Sequence, residues 1–261
     1  MRHTDTVAII LAAGQGKRMK SELPKVLQEI NGKALIEFVI ETARSLGVLK
    51  VCVVIGYQGG LVQYRLKSRG LEFVWQREQL GTGHALLQIK SFLEHFKGKL
   101  LVLCGDMPVV SADSLNKLIG ALEEQEVSAA VLTGELDDPQ EYGRVVRAKD
   151  GSVEKIVEAK DATPKEKKIK EISSGTFCFE ARTVFPILER LTADNAQQEY
   201  YLTEVVRILK EMGKKTVAVP VESAEELLGI NSEEDLKVLR DIWTNRLAGS
   251  AVSPEEPTEE S

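Results

Sequence analysis

The sequence predicts an α/β fold built on a mostly parallel sheet covered by helices on both faces. Two observations lead there. Short β-branched runs alternate with amphipathic stretches of helical length, which is the rhythm of βαβ units. The runs are also continuously apolar rather than alternating, as strands buried on both faces require.

In chain order, strands are expected at Val7–Leu11, Val51–Ile55, Leu71–Trp75, Leu100–Leu103 and Ala129–Thr133. Helical patterns fill the intervals at Leu35–Leu46, Gly83–Phe96 and Ser111–Glu124. After about residue 134 the rhythm loosens. Arg144–Ala148 and Val153–Glu158 flank Asp150-Gly151, a turn dipeptide typical of a hairpin. Lys165-Glu166-Lys167-Lys168 reads as a charged, solvated loop or short helix. Helices resume at Ala181–Leu191 and Tyr201–Met212, followed by a strand at Thr216–Val219. Ser232-Glu233-Glu234-Asp235 has the form of a capping box, with Leu236, Leu239 and Ile242 at core spacing behind it. From Gly249 the residues are mostly Ser, Pro, Thr and Glu, which predicts a disordered acidic tail over 249–261. The expected organisation is one domain over 1–248, divided into parts of about 1–134 and about 135–248. No internal repeat stands out, which argues against solenoids and propellers.

Composition narrows the function. The 261 residues are 43% hydrophobic and 28% charged, ordinary for a soluble globular chain. With 34 Lys+Arg against 40 Asp+Glu, no general nucleic-acid-binding surface is expected. Of the net charge of −6, residues 250–261 carry four acids and no bases, so the body is nearly neutral and compatible with anionic substrates. No apolar run approaches the ~20 residues that span a bilayer. Asp5 interrupts the place where a signal peptide would turn apolar, so no membrane association or export is expected. Cys52, Cys104 and Cys178 are odd in number and without metal-type spacing, which suits a reducing cytoplasm.

The most informative segment follows the first strand: Leu11-Ala12-Ala13-Gly14-Gln15-Gly16-Lys17-Arg18-Met19. Small residues let backbone N–H groups approach a phosphate, and Arg18 and Lys25 add fixed positive charge. Met19 stands where a dinucleotide fingerprint needs its third glycine, and no Walker A spacing is present. Alone, the glycine pair suits a structural turn as well.

The wider pattern is more specific. Leu-x-Ala-Gly-x-Gly-x-Arg-Met followed by Pro24-Lys25 resembles the signature of sugar-nucleotide pyrophosphorylases. Gln76 with Gln79–His84, Gly105-Asp106-Met107-Pro108, Tyr142-Gly143-Arg144, Val157–Thr163, Glu199–Thr203 and Gly229-Ile230-Asn231 continue the resemblance in order. Together they resemble the uridylyltransferase domain of bacterial bifunctional enzymes that make UDP-N-acetylglucosamine, from about Val7 to about Leu247. The resemblance implies a Rossmann-like sheet with a smaller mixed β region for the sugar, the nucleotide-diphospho-sugar transferase fold. Such relatives continue into a left-handed β-helix that acetylates glucosamine-1-phosphate. No hexapeptide repeats occur here, so uridylyl transfer without acetyl transfer is expected.

The implied chemistry is attack of a sugar-1-phosphate oxygen on the α-phosphorus of UTP. Two anions must be aligned and their charge neutralised, which calls for cations rather than a covalent nucleophile. Asp106 sits just past an apolar strand, and with the amide oxygen of Asn231 it can hold Mg²⁺, the expected cofactor. Alone, either residue could be a helix cap. The family places the metal on these two positions. Arg18 and Lys25 would hold the triphosphate, alongside Leu11, Ala12, Ala13, Gly14 and Gly105. Gln76, Gly81 and Thr82 correspond to uracil-reading positions, and Gly143, Glu158, Ser173 and Asn231 to the sugar side.

Three departures stand out. Lys17 replaces a common Thr or Ser, Cys104 a common Tyr, and Ser173 the Asn that contacts the sugar. Ser173 keeps open a different sugar with the same chemistry. A non-catalytic sugar-nucleotide sensor is disfavoured because Arg18, Lys25, Asp106 and Asn231 are all present. The sequence leaves oligomeric state open.

Overall fold

In the computed structural model, residues 2–19, 21–123 and 127–250 are described. β1 (Thr6–Ala12) lies inside a nine-stranded sheet and pairs in parallel with β4 (Lys50–Ile55) and β6 (Lys99–Cys104). β5 (Glu72–Trp75) extends the parallel set from β4. On the other side, β10 (Glu171–Glu180) runs antiparallel between β6 and β7 (Val127–Glu135). β11 (Lys215–Pro220) closes that edge in parallel with β7. The hairpin of β8 (Gly143–Arg147) and β9 (Val153–Val157) attaches through β8 to the start of β10. A small separate hairpin, β2 (Glu29–Ile30) and β3 (Lys33–Ala34), precedes the first helix.

β1 shows why these runs become buried strands. Val7 and Ile9 enter one core cluster, Ala8 and Ile10 the other, and all four are fully buried. The first cluster packs under α3 (Thr82–Leu87), α5 (Ala181–Leu188) and α6 (Glu204–Glu211). The second packs under α1 (Leu35–Ser45), α2 (Gly59–Leu66) and α4 (Ala112–Gly120). A third, smaller cluster joins Met19, Ile30, Leu35, Val109, Ile230, Leu236 and Leu239. It ties three loops to α7 (Glu233–Ser250), so it fixes the candidate site described below.

The expected α/β architecture is present, and it differs in places. β10 was not anticipated as a strand. Its first half, Ser173-Ser174-Gly175-Thr176, is small and polar, and the pairing register shifts there around Gly175 at φ +77°. The Gly83–Phe96 helix ends at Leu87 and gives way to i→i−3 bonds, including Ile89 N to Leu86 O and Leu93 N to Lys90 O. That tightening places Leu86, Ile89 and Leu93 together in the core. α2 starts at a glycine pair and carried no clear periodic signal. The capping box is present: Asp235 accepts from Asn231 N and Ser232 N at 2.8 Å, and Ser232 Oγ accepts from Asp235 N. α7 continues through Gly249 and Ser250, and the rest of the expected acidic tail lies outside the described residues. Among the described residues, no helix is long and apolar enough to cross a membrane.

Candidate active site

The candidate residues lie at and beyond the carboxyl ends of β1, β4, β5 and β6, where ligands collect in open parallel sheets. The loop after β1 bends through Gly16 at φ +61°, and a Cβ there would lie 2.7 Å from Lys25 Cβ. Gly16 therefore sets the shape of the loop and lets Lys25 pass close to it. Gly14 differs: nothing lies within 4 Å of its absent Cβ, so its backbone faces open space. Leu11 and Ala13 turn their carbonyls inward, accepting from Gly105 N and Tyr57 N at 3.0 Å, while Ala12 is buried at the strand end. Gly105 must be small, since a Cβ would lie 3.1 Å from Leu11 O.

Four predicted residues converge here. Lys25 Nζ pairs with Asp106 Oδ2 and also donates to Asn231 Oδ1 at 3.0 Å. Arg18 Nη2 donates to the same Asn231 oxygen at 3.0 Å. Asn231 is held by its other end, because Nδ2 donates to Gly229 O at 3.2 Å. The Ile230 N–H donates to Asp106 O at 3.1 Å, which stitches the two oxygen-bearing loops together. A carboxylate and an amide oxygen thus already gather around one ammonium, and that donor set suits a hard divalent cation. Among the described residues there is no cluster of three or more His, Cys, Asp or Glu. The site therefore fits an ion that takes few protein ligands and completes its shell with water and phosphate, as Mg²⁺ does.

A second group lies past β5. Gln76 is buried, and its Nε2 donates to Gly81 O at 3.0 Å and lies 3.0 Å from His84 Nδ1. Gly81 sits at φ +107°, and a Cβ would meet Tyr200 O at 2.7 Å. Thr82 Oγ1 accepts from Leu202 N at 3.1 Å, so the Gly81-Thr82 turn leans on the 199–203 segment.

The third group is the hairpin and β10. Gly143 pairs with Ser173 across β8 and β10, and a Cβ on Gly143 would lie 3.7 Å from the Glu158 carboxylate. Glu158 accepts from the Thr203 hydroxyl at 2.8 Å. Burial raises its carboxyl above the ordinary range, with Asp161 and Glu199 adding to the effect and the Thr203 bond opposing it. Ser173 Oγ accepts from Gly175 N at 3.2 Å, which leaves its O–H to donate elsewhere. Burial pushes the Cys104 thiol up to about 12, with the Asp106 charge adding to the effect, which disfavours the thiolate.

Residues missed from sequence act mainly as ties. Tyr142 Oη donates to Leu227 O at 2.8 Å and accepts from Gly229 N at 3.2 Å, joining β8 to the Asn231 loop. Thr203 joins the Gly81 side to Glu158, and Gly56 lets Gln79 and Ala13 pack together. Gly56 follows a parallel strand, a position that could have marked it. Tyr142 and Thr203 bond over 85 and 45 residues of sequence, and the motifs that contain them do not reveal these partners.

A family model described as a MobA-like NTP transferase domain matches residues 8–201. The chain belongs to that family. Curated relatives of this NTP transferase include "Bifunctional protein GlmU" of Pelotomaculum thermopropionicum, 45% identical over 258 residues (97% of this chain, 56% of that one). The protein of the same name from Listeria innocua is 46% identical over 240 residues (92% and 52%). The chain spans about half the length of the curated relatives it matches. Among solved structures, a UDP-glucose pyrophosphorylase complexed with UDP-glucose shares the fold, with TM-score 0.74 and 18% identity (94% of this chain, 100% of that one). So does the inositol-1-phosphate CTP transferase from T. maritima, with TM-score 0.69 and 19% identity (91% and 94%).

Proposed function

We propose that this NTP transferase moves the uridylyl group of UTP onto N-acetylglucosamine-1-phosphate, giving UDP-N-acetylglucosamine and pyrophosphate. The observation that carries the reading is the meeting of Arg18, Lys25, Asp106 and Asn231 beside the open backbone at Gly14. The sugar rests on the sequence resemblance, with Gly143, Glu158 and Ser173 gathered in one place as support.

A phosphate oxygen of the sugar-1-phosphate attacks the α-phosphorus, and a new P–O bond forms. The bond to the β-phosphate bridging oxygen breaks, and pyrophosphate carries away the negative charge. Arg18 and Lys25 hold the triphosphate and oppose charge growing on the leaving group. Asp106 and Asn231 would hold Mg²⁺, which when bound supplies further charge neutralisation at the phosphates. Gln76 and Gly81 fix the base, while Glu158 accepts from a sugar hydroxyl. The chemistry asks for alignment of two anions, and the contacts that tie the three groups together support that reading.

A second reading changes only the sugar. Ser173 uses its oxygen as an acceptor for Gly175 N, so it offers a sugar one donor and lacks the donor–acceptor pair of an amide. Pyrophosphate release measured with UTP, dTTP and CTP against a panel of hexose-1-phosphates tests both readings. The expected result is preference for UTP with N-acetylglucosamine-1-phosphate. A clear preference for another sugar installs the second reading. Turnover that persists undiminished in Asp106→Ala removes Asp106 from the mechanism.

A further inference from the structure

Gln76 is a buried amide with a fixed end. Its two N–H bonds point at two acceptors, Gly81 O at 3.0 Å and His84 Nδ1 at 3.0 Å. Its backbone is fixed too, with N–H donating to Ile55 O at 2.8 Å and C=O accepting from Gln79 Nε2 at 3.1 Å. Gln76 Oε1 has no partner among the described residues, and it is not one of the buried unpaired atoms. The amide oxygen is therefore the end of this side chain left without a protein partner.

His84 decides whether that arrangement holds. A neutral imidazole has one donor and one acceptor nitrogen. An amide lies close to each: Gln76 Nε2 at 3.0 Å from Nδ1, and Gln88 Nε2 at 3.1 Å from Nε2. Gln76 cannot turn over without setting its oxygen against Gly81 O. Nδ1 is therefore the acceptor and Nε2 carries the proton. Gln88 Nε2 also donates to the His84 carbonyl at 3.1 Å, but Gln88 is half-exposed just past α3 and can swing away from the ring, leaving the Nε2 proton to water. The ring itself is placed by α3, whose Thr82 bonds Leu202 N, and by Tyr200, 6.1 Å away between centroids.

We propose that His84 is a positioning residue that keeps the Gln76 oxygen toward the cleft and so selects the base. An amide oxygen accepts the N3–H of an imide, as in uracil or thymine. Cytosine presents a lone pair at that atom and is repelled. This inference rests on the reading of the Gln76 end as the nucleotide-base subsite. Without Nδ1 only the Gly81 carbonyl orients the amide, so turning the NH₂ end toward cytosine costs less.

The test compares kcat/KM for UTP and CTP, with N-acetylglucosamine-1-phosphate as acceptor, in the wild type, His84→Leu and His84→Asn. In His84→Leu the UTP/CTP ratio falls about tenfold, the size expected from losing one orienting hydrogen bond, and mainly through the nucleotide KM. His84→Asn restores the ratio, because an asparagine oxygen can stand where Nδ1 stood. An unchanged ratio in His84→Leu overturns the proposal, as does an equal loss with both nucleotides that Asn does not rescue. A wild type that does not discriminate between UTP and CTP instead overturns the base-subsite reading. Nitrogen-15 spectra of the unmutated protein give an answer that needs no variant to fold. A bare Nδ1 with protonated Nε2 is expected, and the opposite tautomer rejects the proposal.

Discussion

At one end of the cleft Asn231 gives its amide nitrogen to Gly229 O and turns its oxygen toward Arg18 and Lys25. At the other end Gln76 gives its nitrogen to Gly81 O and to His84, and leaves its oxygen without a partner among the described residues. Both ends anchor a side-chain amide on a glycine carbonyl so that only the oxygen is presented. The Asn231 end surrounds that oxygen with charge, and the Gln76 end does not. Charge acts over distance on every nucleoside triphosphate alike, whereas a single neutral acceptor acts by contact and separates one base from another. On the proposed function, rate belongs to the first end and choice to the second.

Variants can break that division. The largest effect is expected from Lys25→Met, which removes the ammonium shared by Asp106 and Asn231. Its kcat should fall about 10²–10³-fold, as when one preorganised charge-stabilising group is lost, while the UTP/CTP preference stays. A kcat within a few-fold of wild type would place Lys25 outside the chemistry. Gly81→Ala comes next. It forces a side chain into the left-handed region and against Tyr200 O, so urea unfolding should show a loss of about 1–3 kcal/mol together with a raised nucleotide KM. Stability equal to wild type would mean that the turn relaxes, and the fixed anchor for Gln76 would then be absent.

The smallest effect is expected at Glu158, which belongs to neither end. Glu158→Gln should raise the sugar-1-phosphate KM about fivefold near neutral pH, the order of one hydrogen bond. Because burial raises its carboxyl, the wild type loses this acceptor on acidification earlier than an ordinary glutamate would. The wild-type sugar KM then rises as pH falls through that raised value, and the variant lacks this limb. Stability follows the same proton. Between the ordinary glutamate value and the raised one, the folded chain binds the extra proton, so stability falls as pH rises there. Identical pH profiles in the two proteins would remove the carboxylate from sugar recognition.

Much of this was legible before any coordinates. Continuous apolar runs marked β1, β4, β5, β6 and β7, because a strand buried on both faces leaves no polar position to confuse the pattern. Arg18, Lys25, Asp106 and Asn231 stand out through the family resemblance, Asn231 through that alone, and the four do meet. β10 was not legible, because the half that carries Ser173 faces neither a uniform core nor solvent, and its small polar residues resemble a loop. The Gln76–His84 pairing was hidden for another reason. The resemblance marks Gln76 as a base reader but does not link it to His84, and the meaning of the pair lies in which end of an amide a neighbour has taken.

β10 also sets an order of events during synthesis. It pairs with β6, β7 and, at its start, β8, and the sheet partners of β7 are β10 and β11. Both lie later in the chain. As the polypeptide emerges, β1, β4, β5 and β6 can pair from the first 104 residues, carrying the Gly14 loop with them. β7 waits as an unpaired apolar strand until residue 180 is out and β10 has inserted beside β6. The interval between those two moments is when this chain is most exposed to misassociation.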